Sequence, residues 1–357
     1  MDKRNLLLVF LSQFDLTSKK MEEIISFMKE PSISCFAKTK FPKEIIKPDS
    51  YQTMLASADE KLTETYVKNL ADRDIFVVTI FDDDYPEKLR QMNDSPFIIY
   101  YRGDLSLASK PALAVVGTRK PSAYGKMVTE KLTGEVASAG VVIVSGLAYG
   151  VDSIAHRKTL EVGGKTIAVL GSGFDNVYPS QHQSLAEEIA KKGLLISEQR
   201  PKKGATKYLF PLRNRIIAAL GEGTLITEAG IKSGTVHTKD YALDFGREVF
   251  VVPGNINSPN SDLPNEVIKT GQGMCVTSGK DILANYHILP QTKQMTMFEN
   301  LSIEEEKIVN LLKDGIKDID YLTKNVDFDI SNFNTCLTML EIRGIITRMA
   351  GGQISLN

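Results

Sequence analysis

The stretch GVVIVSGLAYGVDSIAH, residues 140–156, joins a run of β-branched residues to the start of a helix through several small residues. Similar runs are IFVVTIF (75–81), ALAVVG (112–117), KTIAVLG (165–171), GLLISE (193–198), GTLITE (223–228) and REVFVVPG (247–254). From residue 112 onward they recur about every 25 to 30 residues with helical patterns between them, which is typical of βαβ crossovers. The sequence therefore predicts an α/β fold with a doubly wound, mostly parallel sheet. Such sheets bind ligands at the carboxyl ends of their strands.

The length of 357 residues predicts two or three domains. Apolar residues at helical spacing predict a small helical domain over residues 1–74. The α/β pattern covers residues 75–286, and the polar stretch 287–300 is predicted to be a linker. Three short amphipathic patterns and a hairpin turning at Gly351–Gly352 then predict a winged-helix domain over residues 301–357.

The net charge of −1 excludes an evenly basic surface, so any site for a polyanion must be local. Three cysteines far apart in the sequence favour a reducing compartment and no disulfide framework. The four histidines lack the spacing of metal ligands, and we predict neither a metal site nor a cofactor. No stretch has the length of a membrane span, and the apolar run at residues 6–11 is interpreted as a core helix. We therefore expect a cytoplasmic protein.

Six cations lie between residues 200 and 215 with no acidic residue among them. They are Arg200, Lys202, Lys203, Lys207, Arg213 and Arg215. The string FPLRNRIIAAL, residues 210–220, predicts a helix that begins at or near Pro211. Arg213 and Arg215 then lie in its first two turns, where a cation opposes the helix dipole unless an anion is nearby. Phe210 lies among these cations, as in proteins that hold single strands by stacking and phosphate contacts. We favour a bound polyanion; the alternative is an arginine–carboxylate network with core aromatics.

Three turns that follow predicted strands are further candidate anion sites, because the amides at a helix start attract phosphate. These turns are Gly117–Arg119, Ser145–Gly146 and Ser233–Thr235. Lys232 and Lys239 add positive charge around the third turn. For the first turn, the alternative is a tight connection with a solvated arginine.

Other polar residues near these turns are interpreted as structural. Asp152 is expected to start a helix, and His156 to lie inside that helix. The loop at residues 171–182, which includes Tyr178, is predicted to form one rigid wall of a cleft. Glu228 is expected to orient one of the helix arginines, with a catalytic carboxylate as the alternative.

The motifs AVVGTR, SGLAYGVD, AVLGSGFDNVYP, ISE, FPLRNRIIAAL, TEAGIKSGT and FVVPG follow one another in the order and spacing of the DNA-processing protein A (DprA, or Smf) family. The chain resembles this family densely over about residues 75–285. The resemblance implies a non-enzymatic protein with an extended Rossmann-like core and no catalytic residues. It also implies single-stranded DNA binding in a basic pocket, a homodimer formed through the core, and help in loading RecA recombinase during natural transformation.

By position, Arg119, Lys207 and Phe210 resemble the basic and aromatic residues of the family's pocket. Together with the candidate anion sites, the resemblance gives a predicted DNA-binding set. The set comprises Gly117, Thr118, Arg119, Ser145, Gly146, Lys207, Phe210, Arg213, Asn214, Arg215, Lys232, Ser233, Gly234, Thr235 and Lys239.

The rival function is a nucleotide-processing enzyme of the phosphoribohydrolase type. Its P-G-G-x-G-T-x-x-E phosphate loop is faintly echoed by TEAGIKSGT, with Glu228 as the required carboxylate. The chain lacks the P-G-G run and a second paired carboxylate, which favours DNA binding over this chemistry.

The segment from residue 301 to 357 has six cations and nine anions, a balance of −3. Phosphate repels such a surface. The winged-helix segment is therefore predicted to dock a protein or regulate, rather than to bind duplex DNA.

Overall fold

The computed structural model describes residues 1–286, 301–313, 315, 317–349 and 351–356. Contacts within the chain divide it into two compact units, Met1–Pro290 and Gln291–Asn357. The predicted linker at residues 287–300 lies outside the described residues.

The first unit begins with five helices. These are α1 (Lys3–Ser12), α2 (Ser18–Phe27), α3 (Ile33–Phe36), α4 (Pro48–Leu55) and α5 (Glu60–Ala71). Side chains of Asp2, Thr17, Ser32 and Asp59 accept hydrogen bonds at four of the helix starts. The helices bury a common apolar cluster that also contacts Phe81 and Phe97. Because the helical segment shares this cluster with later residues, a domain boundary at residue 74 stays a prediction.

A nine-stranded sheet forms the centre of the first unit. Its strands are β1 (Phe76–Thr79), β2 (Ile98–Gly103), β3 (Ala112–Val116), β4 (Val142–Ser145), β5 (Thr166–Leu170), β6 (Leu194–Ser197), β7 (Gly223–Ile226), β8 (Glu248–Val251) and β9 (Met274–Cys275). The strand order is β1-β2-β6-β5-β4-β3-β7-β8-β9. The pairs β1–β2 and β2–β6 are antiparallel, and the other pairs are parallel. The predicted doubly wound α/β fold is therefore confirmed, and all seven predicted runs form strands; β2 and β9 were not predicted.

The strand order reverses at β3, which lies between β4 and β7. Doubly wound sheets bind ligands beside the carboxyl ends of the strands at such a switch point. Every residue of β3 is buried, because helices cover both faces of the sheet. The site is thus expected at the loop that follows Val116.

The remaining helices of the first unit alternate with the strands. They are α6 (Glu87–Arg90), α7 (Ala123–Ser138), α8 (Val151–Glu161), α9 (Gln183–Lys192), α10 (Leu209–Leu220), α11 (Thr235–Asp244), α12 (Asp262–Lys269) and α13 (Gly279–Asn285). Helices α7, α8 and α13 pack on one face of β3, around Leu113 and Val115. Helices α10, α11 and α12 pack on the opposite face, around Ala114 and Val116.

The second unit contains three helices and a small antiparallel sheet. Its elements are α14 (Ile303–Leu312), β10 (Lys317–Asp318), α15 (Ile319–Lys324), α16 (Ile330–Ile342), β11 (Ile346–Arg348) and β12 (Gln353–Leu356). Strand β12 pairs with β10 and with β11, and Met349 donates a backbone hydrogen bond to Gln353 at 2.7 Å across the hairpin. Three helices and a hairpin are thus described in this unit, and a winged-helix domain over residues 301–357 stays a prediction.

Candidate nucleic-acid interface

A cleft of about 770 Å³ opens at the carboxyl edge of the sheet beside β3. Ten residues of the predicted DNA-binding set line it. They are Gly117, Thr118, Arg119, Lys207, Phe210, Arg213, Asn214, Ser233, Gly234 and Thr235. Lys120 and Tyr178 also line the cleft, although neither was in the predicted set.

The loop after β3 forms one rim of the cleft, and its backbone is held from two sides. The amide of Thr118 donates to the carbonyl of Glu228 at 2.6 Å, and the amide of Val151 donates to the carbonyl of Thr118 at 3.2 Å. A Cβ atom at Gly117 would lie only 2.6 Å from Val151, so this glycine is required by close packing. The fixed loop presents the exposed side chains of Arg119 and Lys120.

The start of α10 forms the opposite rim. This helix begins at Leu209, two residues before the predicted start at Pro211. Lys207 is exposed just ahead of it. The ring of Phe210 lies 5.4 Å from the ring of Tyr178, with 46° between their planes, and the guanidinium of Arg119 lies 5.7 Å from the Phe210 ring centre. A cation and two aromatic rings therefore converge on one side of the cleft.

Arg119, Lys120 and Lys207 form no ion pair with another described residue. Their charges are therefore available to an anion in the cleft. Asp152 also lines the cleft, but no carboxylate of the described residues lies within ion-pair distance of these three cations, so each can form a charge-assisted hydrogen bond to a phosphate.

Arg213 is buried beneath the cleft rather than exposed in it, with 7% of its surface accessible. Its guanidinium donates to the carbonyl of Gly146 at 2.6 Å and also to the carbonyl of Val169. Burial lowers the pKa of Arg213 to about 10, and the charge of Asp152 opposes this shift. The side chain remains a cation at neutral pH, and its donors join α10 to the loop after β4 and to strand β5 itself.

The turn at Ser145–Gly146 does not offer free amides to phosphate. The amide of Gly146 donates to the carboxylate of Asp152 at 3.1 Å, and the Ser145 hydroxyl donates to the carbonyl of Val115 at 2.6 Å. Ser145, Gly146 and Asp152 are all buried. The protein's own carboxylate thus occupies the predicted anion site, and the structural interpretation of Asp152 is supported.

Arg215 lies away from the cleft and bonds two carboxylates. Its side chain is 3% exposed, with Asp94 at 3.0 Å and Glu198 at 2.8 Å. For this residue the geometry fits the alternative of an arginine–carboxylate network rather than a phosphate contact. Two more cations of the segment are paired in the same way, since Lys203 lies 2.8 Å and Arg200 3.6 Å from Asp15.

The turn before α11 forms the third side of the cleft. The side-chain amide of Asn214 donates to the carbonyl of Gly234 at 3.3 Å, which joins this turn to α10. The hydroxyl oxygen of Ser233 is buried and has no hydrogen-bond partner among the described residues. This turn therefore retains one buried, unsatisfied hydroxyl beside the cleft.

Two predicted lysines near this turn differ in their surroundings. Lys232 is exposed beside the cleft without lining it. Lys239 is buried, with Asp240 at 2.9 Å and the Gln272 side chain at 3.1 Å. The charge of Lys239 is thus neutralised by an ion pair within the protein.

Glu228 does not orient an arginine, so that expectation was wrong. Its two carboxylate oxygens accept from the Ser122 hydroxyl at 2.6 Å and the Ser122 amide at 2.8 Å. This carboxylate instead holds Ser122, whose hydroxyl oxygen caps the start of α7 by accepting from the amide of Gly125 at 3.1 Å. It is 2% exposed and does not line the cleft. The geometry therefore gives no support to a catalytic role.

Within the described residues, no group of three or more His, Cys, Asp or Glu side chains could hold a metal ion. No helix in the same part of the chain is both long and apolar enough to cross a bilayer.

The fold and cleft define an α/β protein with a basic, aromatic site at the switch point of its sheet. The family model described as DNA recombination-mediator protein A matches residues 76–287. The chain belongs to this family, which confirms the prediction from its motifs.

Relatives support the assignment over most of their own length. The DNA processing protein DprA of Bacillus subtilis (strain 168) is 40% identical over 209 residues, which are 58% of this chain and 70% of that protein. Protein Smf of Escherichia coli (strain K12) is 34% identical over 281 residues, or 76% of this chain and 75% of that protein.

Two solved structures are similar to this chain. DNA processing protein A (DprA) from Streptococcus pneumoniae matches with a TM-score of 0.68 and 33% identity, over 80% of this chain and 98% of that chain. DNA processing protein A from Helicobacter pylori, described for its single-stranded DNA binding mode, matches with a TM-score of 0.54 and 32% identity. That match covers 59% of this chain and 95% of the other.

Proposed function

We propose that this chain binds single-stranded DNA in the cleft beside β3 and acts in DNA processing and recombination. The observation that carries the proposal is the convergence of Arg119, Lys120 and Lys207 with the Phe210–Tyr178 ring pair. Unpaired cations bind a phosphate backbone, and aromatic rings stack on bases of any sequence.

The cleft favours a single strand over a duplex. Bases of a duplex are stacked on one another, so only an unpaired strand can offer a base face to Phe210 or Tyr178. The cations surround a concave site. Binding there does not require an exposed basic helix that enters a groove of duplex DNA. Sequence preference is expected to be slight, because stacking and phosphate contacts do not read base edges.

Within the predicted DNA-binding set, we propose three kinds of contribution. Arg119, Lys207 and Phe210 are proposed to touch DNA directly, with Lys120 and Tyr178 added to them. Asn214, Arg213 and the Gly117–Thr118 turn are proposed to hold the walls of the cleft. The amide of Ser233 donates to the carbonyl of Gly230 at 3.0 Å, so the amides of Gly234 and Thr235 are the ones proposed to face a phosphate.

The wider role that we propose is protection of incoming single strands and assistance in loading RecA, as in natural transformation. The family's description as a recombination mediator supports this role. We further propose that the chain acts as a homodimer through its Rossmann-like unit and without catalysis. Both proposed partners, single-stranded DNA and RecA, imply a cytoplasmic location.

A titration of the full chain with single- and double-stranded oligonucleotides of equal length tests the proposal. We expect tighter binding of the single strand, with a salt slope near −0.7 × 3, or about −2, from the three exposed cations. Equal affinity for both forms, or a slope near zero, would contradict it. Incubation with nucleoside monophosphates in the same buffer tests the rival enzyme, which would release free base.

A further inference from the structure

A second groove of about 550 Å³ adjoins the cleft and shares two of its residues, Arg119 and Lys120. The groove lies between the starts of α7 and α8. Its lining consists of Arg119, Lys120, Pro121, Lys126, Tyr149, Gly150, Ser153 and Ile154. The two shared cations thus form a ridge that faces both depressions.

The second groove is basic. Arg119, Lys120 and Lys126 are exposed, and none of them is ion-paired to another described residue. Its lining contains no acidic side chain. A chain of phosphates that crosses the ridge therefore meets positive charge on both sides.

Tyr149 forms a fixed aromatic wall of this groove. The ring is 38% exposed, which leaves apolar surface open to a ligand. Its hydroxyl donates to the side-chain carbonyl of Gln181, and its ring packs edge-on against His182 with 5.1 Å between centres. Because both ends of the side chain are held, stacking on this ring costs little further conformational entropy.

We infer that a single strand bound in the cleft continues across Arg119 and Lys120 into the second groove, where Tyr149 stacks on a base and Lys126 binds a phosphate. The inference rests on the proposed single-strand binding and extends its site. The shared ridge supports one continuous ligand, since a phosphate at Arg119 borders both depressions. The occupant is thus the next part of the same strand.

The test compares two thymidine oligonucleotides of about four and about twelve nucleotides, which span common site sizes for single-strand binding. Both are titrated against the full chain and its variants. We expect Tyr149→Ala to weaken the longer strand by about fivefold or more, the low end of base–aromatic stacking, and the shorter one by less than about twofold. Lys126→Ala should reduce the salt slope of the longer strand by about 0.7 and leave that of the shorter strand unchanged.

Two matched controls lie outside the groove. Tyr124 is also exposed and anchored through its hydroxyl, which donates to the carbonyl of Pro253 at 2.9 Å. Lys131 is an exposed lysine of α7 that lines neither depression. Tyr124→Ala and Lys131→Ala should leave both affinities unchanged.

Equal losses on both oligonucleotides in Tyr149→Ala, or no loss on either, would overturn the extended path. The surface variant Lys126→Ala keeps the test decisive if Tyr149→Ala folds poorly. Failure of the underlying function is distinguishable, because the native chain would then bind neither oligonucleotide. Lys207→Ala serves as the cleft reference and should weaken both lengths.

Discussion

The guanidinium of Arg213 donates a hydrogen bond of 2.6 Å to the carbonyl oxygen of Gly146, and so joins the start of α10 to the loop after β4. A Cβ atom at residue 146 would overlap this guanidinium, so the glycine makes room for the contact. The carboxylate of Asp152 binds the same loop, because it accepts a hydrogen bond of 3.1 Å from the amide of Gly146. The buried charges of Arg213 and Asp152 therefore stabilise the floor of the cleft, and this floor supports the exposed binding residues.

Arg213→Ala is expected to destabilise the fold. The change leaves two buried carbonyl oxygens without donors and removes the positive charge near Asp152, at a cost of about 3 kcal/mol or more. Urea unfolding measures this loss. In Lys207→Ala, by contrast, the free energy of unfolding should change by no more than about 0.5 kcal/mol, because that side chain is exposed. A stable Arg213→Ala variant whose salt slope falls by one phosphate contact would instead mean that Arg213 binds DNA directly.

Lys207→Ala is expected to weaken single-strand binding and to lower the salt slope by about 0.7, the value for one phosphate contact. The reason is that Lys207 lines the cleft without an ion-pair partner in the described chain. Fluorescence titrations at several salt concentrations measure both quantities. Lys202→Ala is the matched control, since Lys202 is exposed in the same segment but does not line the cleft. An equal change in both variants would indicate that Lys207 acts through the general electrostatic field of the segment and does not contact a phosphate.

Tyr178→Ala is expected to weaken single-strand binding by about fivefold or more, because the ring is 46% exposed beside Phe210 and lines the cleft. Tyr178→Phe keeps the ring and should bind almost as the native chain does. Equal losses in the two variants would show that the hydroxyl, and not the ring, contacts the ligand.

The stability of the first unit is expected to fall between pH 7 and pH 5 because of His156. This ring is fully buried in α8 and its Nδ1 lies 2.7 Å from the Thr166 hydroxyl, while Nε2 has no partner in the described chain. Burial, aided by the charges of Arg213 and His182, lowers the pKa of His156 to about 3. Below the usual histidine pKa of about 6.5, the unfolded chain binds a proton that the folded chain does not, so stability falls with decreasing pH.

The expected contribution to this loss is about 2 kcal/mol at pH 5. Urea unfolding of the native chain and of His156→Gln at pH 7 and pH 5 isolates it, since other titrating groups are common to both. The decrease should be about 2 kcal/mol smaller in the variant. An equal decrease in both chains would mean that the folded state accommodates a protonated His156.

The repeating strand–helix pattern was sufficient to predict the sheet and the edge that carries the cleft. Strand β2 was missed because it pairs antiparallel between β1 and β6 and lies outside the βαβ spacing. Arg119 was predicted from its turn and Lys207 from the run of cations before α10, and both line the cleft. Residues of this kind depend on local structure, which the sequence encodes directly.

The partners of the buried cations could not be predicted from the local sequence. Arg215 is neutralised by Asp94, which is 121 residues away in the chain. Lys203 pairs with Asp15 of the helical segment. No acidic residue lies between Arg200 and Arg215 in the sequence, but the fold brings carboxylates from other segments to these cations.

Removal of the second unit is expected to leave single-strand affinity almost unchanged. Its sequence balance is −3, and its two arginines are engaged with carboxylates: Arg343 lies 3.1 Å from Glu305, and Arg348 lies 3.0 Å from Glu341. Helix α16 presents exposed apolar residues such as Ile330 and Ile342, which offer nothing to a phosphate backbone.

A chain that ends at residue 299 should therefore bind a single strand within about threefold of the full chain, which corresponds to roughly 0.7 kcal/mol. The first unit buries its own apolar clusters, so the shortened chain is expected to fold. Its thermal unfolding, followed beside the titration, checks this point. A tenfold loss of affinity in a folded shortened chain would mean that this acidic unit contacts DNA, whereas an unchanged affinity leaves protein docking or regulation as its role.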